Sequence, residues 1–133
     1  LGLAGAELRL RYQPRYAPSS SPLRSLDRHT RVPDLALEIE RADAAPALLV
    51  LDAKYRLDAT GGVPEDALAD AYSYLGSIGA GGARAAQAVA LLYPGRGPAE
   101  VYASGVAALP LLPGDDAALR AWLAAGISSL LHG

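Results

Sequence analysis

Residues 31–56 read RVPDLALEIERADAAPALLVLDAKYR. In its first part Leu35, Leu37 and Ile39 alternate with Asp34, Ala36, Glu38 and Glu40. Period two is the mark of a β-strand with two unlike faces. Ala45 and Pro46 read as the turn that follows. The front of ALLVLDAKYR (47–56) is a continuous apolar run, which predicts a strand covered on both faces. Asp52 and Lys54 are two apart, so their side chains leave the same face. If the two strands are antiparallel neighbours, the start of one lies beside the end of the other. Asp34, Asp52 and Lys54 then converge.

Outward from this pair, ELRLRYQPRY (7–16) alternates in its first half, with Leu8, Leu10 and Tyr12 on one side and Arg9 and Arg11 on the other, again a half-exposed strand. Residues 17–31 are rich in Pro, Ser and Arg and read as a loop. GGVP at 61–64 breaks the chain. Pro64 suits the first helical position, with Glu65 and Asp66 in the favourable first turn. That helix is expected to run to about Ile78, with Gly79 as its stop. AQAVALLY (86–93) reads as a buried strand closed by Pro94, followed by strands near 100–104 and 107–112. Asp115 or Asp116 can cap a last helix reaching about Leu131, with Leu119, Trp122 and Leu123 on its apolar side. Three strands in succession favour antiparallel pairing, and the helix between the third and fourth makes that pair parallel. The expectation is a single α/β domain over 1–133, a mixed sheet flanked by helices.

Composition narrows the chemistry. The chain of 133 residues has no Cys, which excludes a disulfide scaffold, a thiolate zinc site and a Cys nucleophile. The two histidines, His29 and His132, lie at opposite ends, and His29 sits in a polar loop beside arginines, so a His-based metal site is weak. A chain that opens LGLAG and contains no Met reads as a fragment of a longer one. Neither a signal peptide nor a run of roughly 20 apolar residues stands out, so a cytoplasmic protein with no membrane segment is expected. The net charge of −2 hides an asymmetry. Six arginines fall within residues 1–33, where a basic arm could meet a phosphate backbone or simply be solvated, while the remainder is acidic. Eleven of the twelve basic residues are Arg, a pattern of GC-rich coding, and Lys54 is the lone lysine.

Two close carboxylates repel and call for a cation. Oxygen-only donors select a hard ion, Mg²⁺ or Mn²⁺, with Asp34, Asp52 and the backbone carbonyl of Ala53 as ligands. Such an ion polarises a phosphoryl oxygen and lowers the pKa of water, which suits phosphodiester hydrolysis. An ammonium at Lys54 can hold the attacking water and neutralise charge growing on phosphorus. Glu38 shares Asp34's face and is a further candidate as a second-metal or water ligand, against the simpler reading of a solvated strand face. Tyr55 and Arg56, just past Lys54, could touch substrate or cap the strand.

With RVPD leading into one strand and LDAKYR ending the next, the chain resembles the PD-(D/E)XK nuclease superfamily. Pro33 and Asp34 match the first half of its motif; Asp52, Ala53 and Lys54 match the second. More narrowly it resembles McrC-like, restriction-associated nuclease domains, in which a D-A-K-Y-R strand end is followed by a helix carrying a tyrosine, here Tyr72, and a strand ending L-Y-P, here LLYPG at 91–95. The resemblance spans roughly residues 30–95. It implies a restriction-endonuclease-like αβββαβ core and Mg²⁺- or Mn²⁺-dependent cleavage of DNA. Asp34, Asp52 and Lys54 would be catalytic, and Tyr72, Tyr55, Arg56 and Arg31 would contact substrate. It also implies an AAA+ translocase partner in restriction or defence. Because a domain of charge −2 grips phosphates poorly by itself, a homodimer or that partner is expected to supply affinity. The chain departs from the pattern at Leu68, where relatives often carry Lys or Gln, and in lacking a full leading helix with a Glu. Glu7 lies instead in an apparent strand. These departures leave open a catalytically weak module that binds DNA or a partner.

Overall fold

The structure, a computed structural model, describes residues 2–3, 5–55, 57–59 and 61–132. Its strands are β1 (Gly2–Leu3), β2 (Ala6–Tyr12), β3 (Leu23–Ser25), β4 (Leu35–Arg41), β5 (Ala44–Ala53), β6 (Ile78–Ala80), β7 (Ala83–Arg84), β8 (Ala86–Tyr93), β9 (Glu100–Val101) and β10 (Val106–Pro110). The helices are α1 (Glu65–Ser77) and α2 (Ala117–His132). Seven strands form the main sheet in the order β1-β2-β4-β5-β8-β10-β9. β2, β4 and β5 pair antiparallel, and β5, β8 and β10 pair parallel, so the sheet is mixed as the sequence order requires.

Alternation along the central strands divides the core. Ala36, Leu48, Val50, Val89, Leu91 and Val106 face α1, which buries Ala67, Ala71 and Leu75 at helical spacing. On the opposite face Leu37, Ile39, Leu49, Leu51, Ala90, Leu92 and Leu109 pack against Leu119, Trp122, Leu123 and Ile127 of α2. Hence β5 and β8 carry unbroken apolar runs, at 47–51 and 88–92, where each is covered on both sides. Gly126 lets α2 approach closely, since a Cβ there would stand 3.0 Å from Leu49 Cδ1. No helix among the described residues is long and apolar enough to cross a membrane.

Several local expectations are corrected. Ala45 and Pro46 lie within β5, not in a turn. β8 pairs with β5 only from Leu48 onward, so the missing N–H of Pro46 faces no ladder there. The 17–31 segment contains β3, which joins β6 and β7 in a small second sheet. Strands of two or three residues are too short to show a period. Helix α1 stops at Ser77, and Gly79 belongs to β6, where a Cβ would lie 2.3 Å from the Ala83 carbonyl oxygen. Of the apolar side of β2, Leu10 and Tyr12 are exposed, because α2 does not extend over them. No helix precedes β2 among the described residues.

Leu91 is fully buried in the middle of the sheet. Leu91→Ala is therefore expected to lower the unfolding free energy by about 2–5 kcal/mol in urea denaturation. Val101→Ala, at an exposed position, should stay within about 0.5 kcal/mol of the parent.

Candidate active site

The register of β4 on β5 pairs Leu35 with Leu51, which places Asp34 opposite Asp52. Backbone amides then brace both carboxylates. The Asp34 N–H donates to Asp52 Oδ1 at 3.3 Å, and the Ala53 N–H donates to Asp34 Oδ2 at 2.8 Å. Gln13, with φ of 45°, turns the chain out of β2 and donates its N–H to the Asp34 carbonyl at 2.8 Å. Pro33 is fully buried just before Asp34 and fixes the entry into β4. The pair sits at the carboxyl end of β5, beside parallel β8, where the Leu92 carbonyl accepts the Lys54 N–H at 2.8 Å.

Lys54 completes the cluster. Its Nζ lies 2.9 Å from Asp52 Oδ2 and 3.1 Å from Asp70 Oδ2 of α1. Asp52 is buried, whereas Asp70 is largely exposed. Burial pushes the Asp52 carboxyl above the ordinary carboxylate range; the Lys54 ammonium opposes this and Asp34 adds to it. Burial alone would lower the Lys54 pKa, but Asp52 and then Asp70 outweigh it and hold the ammonium above its usual value.

The structure gathers Asp34, Asp52, the Ala53 backbone and Lys54, and it separates other candidates from them. Glu38 is neither a neighbour of the pair nor solvated. Four residues along β4, roughly 13 Å from Asp34 by strand rise, it is buried and accepts the Tyr16 hydroxyl at 2.8 Å. Tyr72 points away: its hydroxyl meets Ser104 Oγ at 2.9 Å. At about 100° per residue, Tyr72 stands some 200° around the helix from Asp70. Leu68 packs into the core on the α1 face. Tyr55 is 87% exposed beyond the strand end. Arg56 lies outside the described residues. Arg31 donates to Ser73 Oγ at 2.8 Å and pairs with Asp27, and it lines a cavity of about 210 Å³ with Thr30, Val32, Asp70, Ser73 and Tyr74.

Two residues of this surround escape a reading by strand motif, Asp70 and Tyr74. They are one helical turn apart, on the side of α1 next to its buried stripe. Burial raises the Tyr74 phenol, with Asp52 the next contributor, and its hydroxyl donates to the Val32 carbonyl at 3.4 Å. The signal that could have found them is helix phase counted from Ala67, Ala71 and Leu75.

A family model of the PD-(D/E)XK nuclease superfamily matches residues 3–98, and the chain belongs to that superfamily. Its restriction-endonuclease-like fold is the mixed α/β arrangement described above. Neither the curated proteins nor the solved structures gave a match.

Because Lys54 is the lone lysine, its ε-methylene signal can be titrated by NMR without overlap. Asp70→Asn is expected to lower the Lys54 pKa, and Asp52→Asn to lower it further. The sign follows from linkage: a raised folded-state pKa contributes stability below the unfolded value of about 10.4 and loses it as pH rises through the folded value. An unchanged titration in both variants would show that neither carboxylate holds the ammonium.

Proposed function

We propose that the chain is a Mg²⁺-dependent DNA endonuclease domain that hydrolyses phosphodiester bonds. The observation that carries this reading is the amide-braced pair Asp34 and Asp52 with the Lys54 ammonium 2.9 Å from Asp52. The donor set fits a hard divalent cation: two carboxylates and the Ala53 carbonyl supply oxygen alone. The upward push on Asp52 from burial and from Asp34 is a cost that a cation would relieve. Mg²⁺ or Mn²⁺, when bound, supplies Lewis-acid polarisation of a phosphoryl oxygen and acidifies water.

The protein's own groups have distinct tasks. The Ala53 and Asp34 amides fix the carboxylates before substrate arrives. Lys54, held as an ammonium, is a donor rather than a base. It can orient the attacking water and neutralise charge as the fifth oxygen approaches phosphorus. Asp70 keeps the flexible lysine chain aimed at the pair. Arg31 and Tyr74 border the cavity against α1, where a flanking phosphate would be met.

A role in restriction or defence, in the cytoplasm and with an AAA+ translocase or a second copy supplying grip, rests on the McrC-like resemblance of DAKYR and LLYPG. A second reading has one observation in its favour. Leu68, where relatives often carry Lys or Gln, packs into the core and brings no polar group to the site, so the fold could serve as a non-cutting DNA or partner module.

Nicking of supercoiled DNA in Mg²⁺ separates the two. The nuclease reading expects cutting that EDTA abolishes, that Asp52→Ala eliminates, and that Lys54→Ala reduces about 10²–10³-fold, the scale of losing one transition-state donor. Cutting that survives Asp52→Ala contradicts the site. A wild type that binds DNA but cuts in neither Mg²⁺ nor Mn²⁺ establishes the module instead.

A further inference from the structure

Three arginines of the basic N-terminal region meet in one place. Arg9, Arg11 and Arg15 line a cavity of about 370 Å³ with Tyr16, Ser20 and the buried Glu38. Strand register explains the meeting. Arg11 pairs with Ala36 and Arg9 with Glu38 across β2 and β4, so both arginines stand on the sheet face that carries Asp34 and Asp52. Arg15 joins them after the chain turns at Gln13.

A purely structural role, arginines neutralising Glu38, accounts for Arg9 and part of Arg11 but not for Arg15. Glu38 already accepts the Tyr16 hydroxyl at 2.8 Å, and the buried phenol remains protonated as a donor. The guanidiniums make only long ion pairs with it, Arg11 at 3.7 Å and Arg9 at 4.0 Å. Arg9 is engaged elsewhere, by Glu7 at 3.0 Å and Glu40 at 3.9 Å. Arg9 is thus shared among three carboxylates, whereas Arg11 meets Glu38 alone and Arg15 enters no ion pair among the described residues, so these two line the open cavity with guanidinium donors to spare. Guanidinium forks facing such a space match a phosphodiester, whose two free oxygens accept bidentately.

We propose that this cavity is a second DNA subsite, in which Arg11 and Arg15 hold a backbone phosphate away from the bond being cut. The subsite rests on the nuclease reading of Asp34, Asp52 and Lys54, and it adds register: two residues of strand separate Arg11 from the level of Asp34, roughly 7 Å. Through the Tyr16 hydroxyl, buried Glu38 fixes the segment that carries Arg15.

The test is binding without cutting. A fluorescent 16-base-pair DNA duplex is titrated with the full chain carrying Asp52→Asn, in EDTA, across a range of salt. Adding Arg11→Ala and Arg15→Ala together is expected to weaken binding at least tenfold and to reduce the slope of log affinity on log salt by about 2. Arg15→Ala alone removes an exposed side chain and leaves Glu38 with its partners; it should reduce the slope by about 1. Inorganic phosphate at millimolar concentration should compete weakly, as a free anion lacking the rest of the strand. Equal affinity and slope in all variants, or no measurable binding by the parent, overturns the subsite. Loss of the nuclease reading looks different: arginine-dependent binding persists while the wild type with Mg²⁺ or Mn²⁺ does not cut.

Discussion

The contact on which the site depends is the reciprocal bracing of Asp34 and Asp52. Each carboxylate accepts a backbone N–H from the other's strand, so the β4–β5 register sets where both are held. Slipping that register by one residue would turn Asp34 to the α2 face and also take Leu37 and Ile39 off that face. The packing of Ala36 and Val50 under α1, and of Leu37, Leu49 and Leu51 on the other face, therefore holds the carboxylates together against their repulsion. Fold stability and site geometry are here one constraint.

Electrostatics then select what the pair can do. Burial works against the Asp52 charge, and Lys54 compensates only in part. Asp70 shares the lysine from the solvent side, so the ammonium bridges a buried and an exposed carboxylate. The charges of the proposed divalent cation and phosphate complement the carboxylates and the ammonium respectively. The acidic balance of the whole chain says little about this; the arginines that could meet DNA are concentrated on β2 and the turn after it.

How much of this was legible in the sequence follows from the length of each signal. The β4 and β5 patterns run for seven residues or more, and period two with an unbroken apolar run identified both strands and the convergence of Asp34, Asp52 and Lys54. The resemblance to the superfamily rests on the same residues. Tyr72 shows where a motif misleads: its presence in the helix was legible, its direction was not, because helix phase is set by which residues the sheet buries. Counting from Ala67, Ala71 and Leu75 brings Asp70 and Tyr74 to the site instead. Glu38 was hidden for another reason. A polar residue on an alternating strand reads as solvated, and only the tertiary fold of residues 13–23 over β4 supplies the Tyr16 hydroxyl that lets it be buried. The β3–β6 pairing of the second sheet joins residues more than fifty apart through strands of three residues, a pairing that no local pattern encodes.

Anomalous scattering from crystals soaked in Mn²⁺ tests the central claim most directly. An anomalous peak is expected between Asp34 and Asp52, within ligand distance of the Ala53 carbonyl and absent from crystals of Asp52→Asn. A peak elsewhere, or none at the pair at saturating Mn²⁺, would contradict that claim.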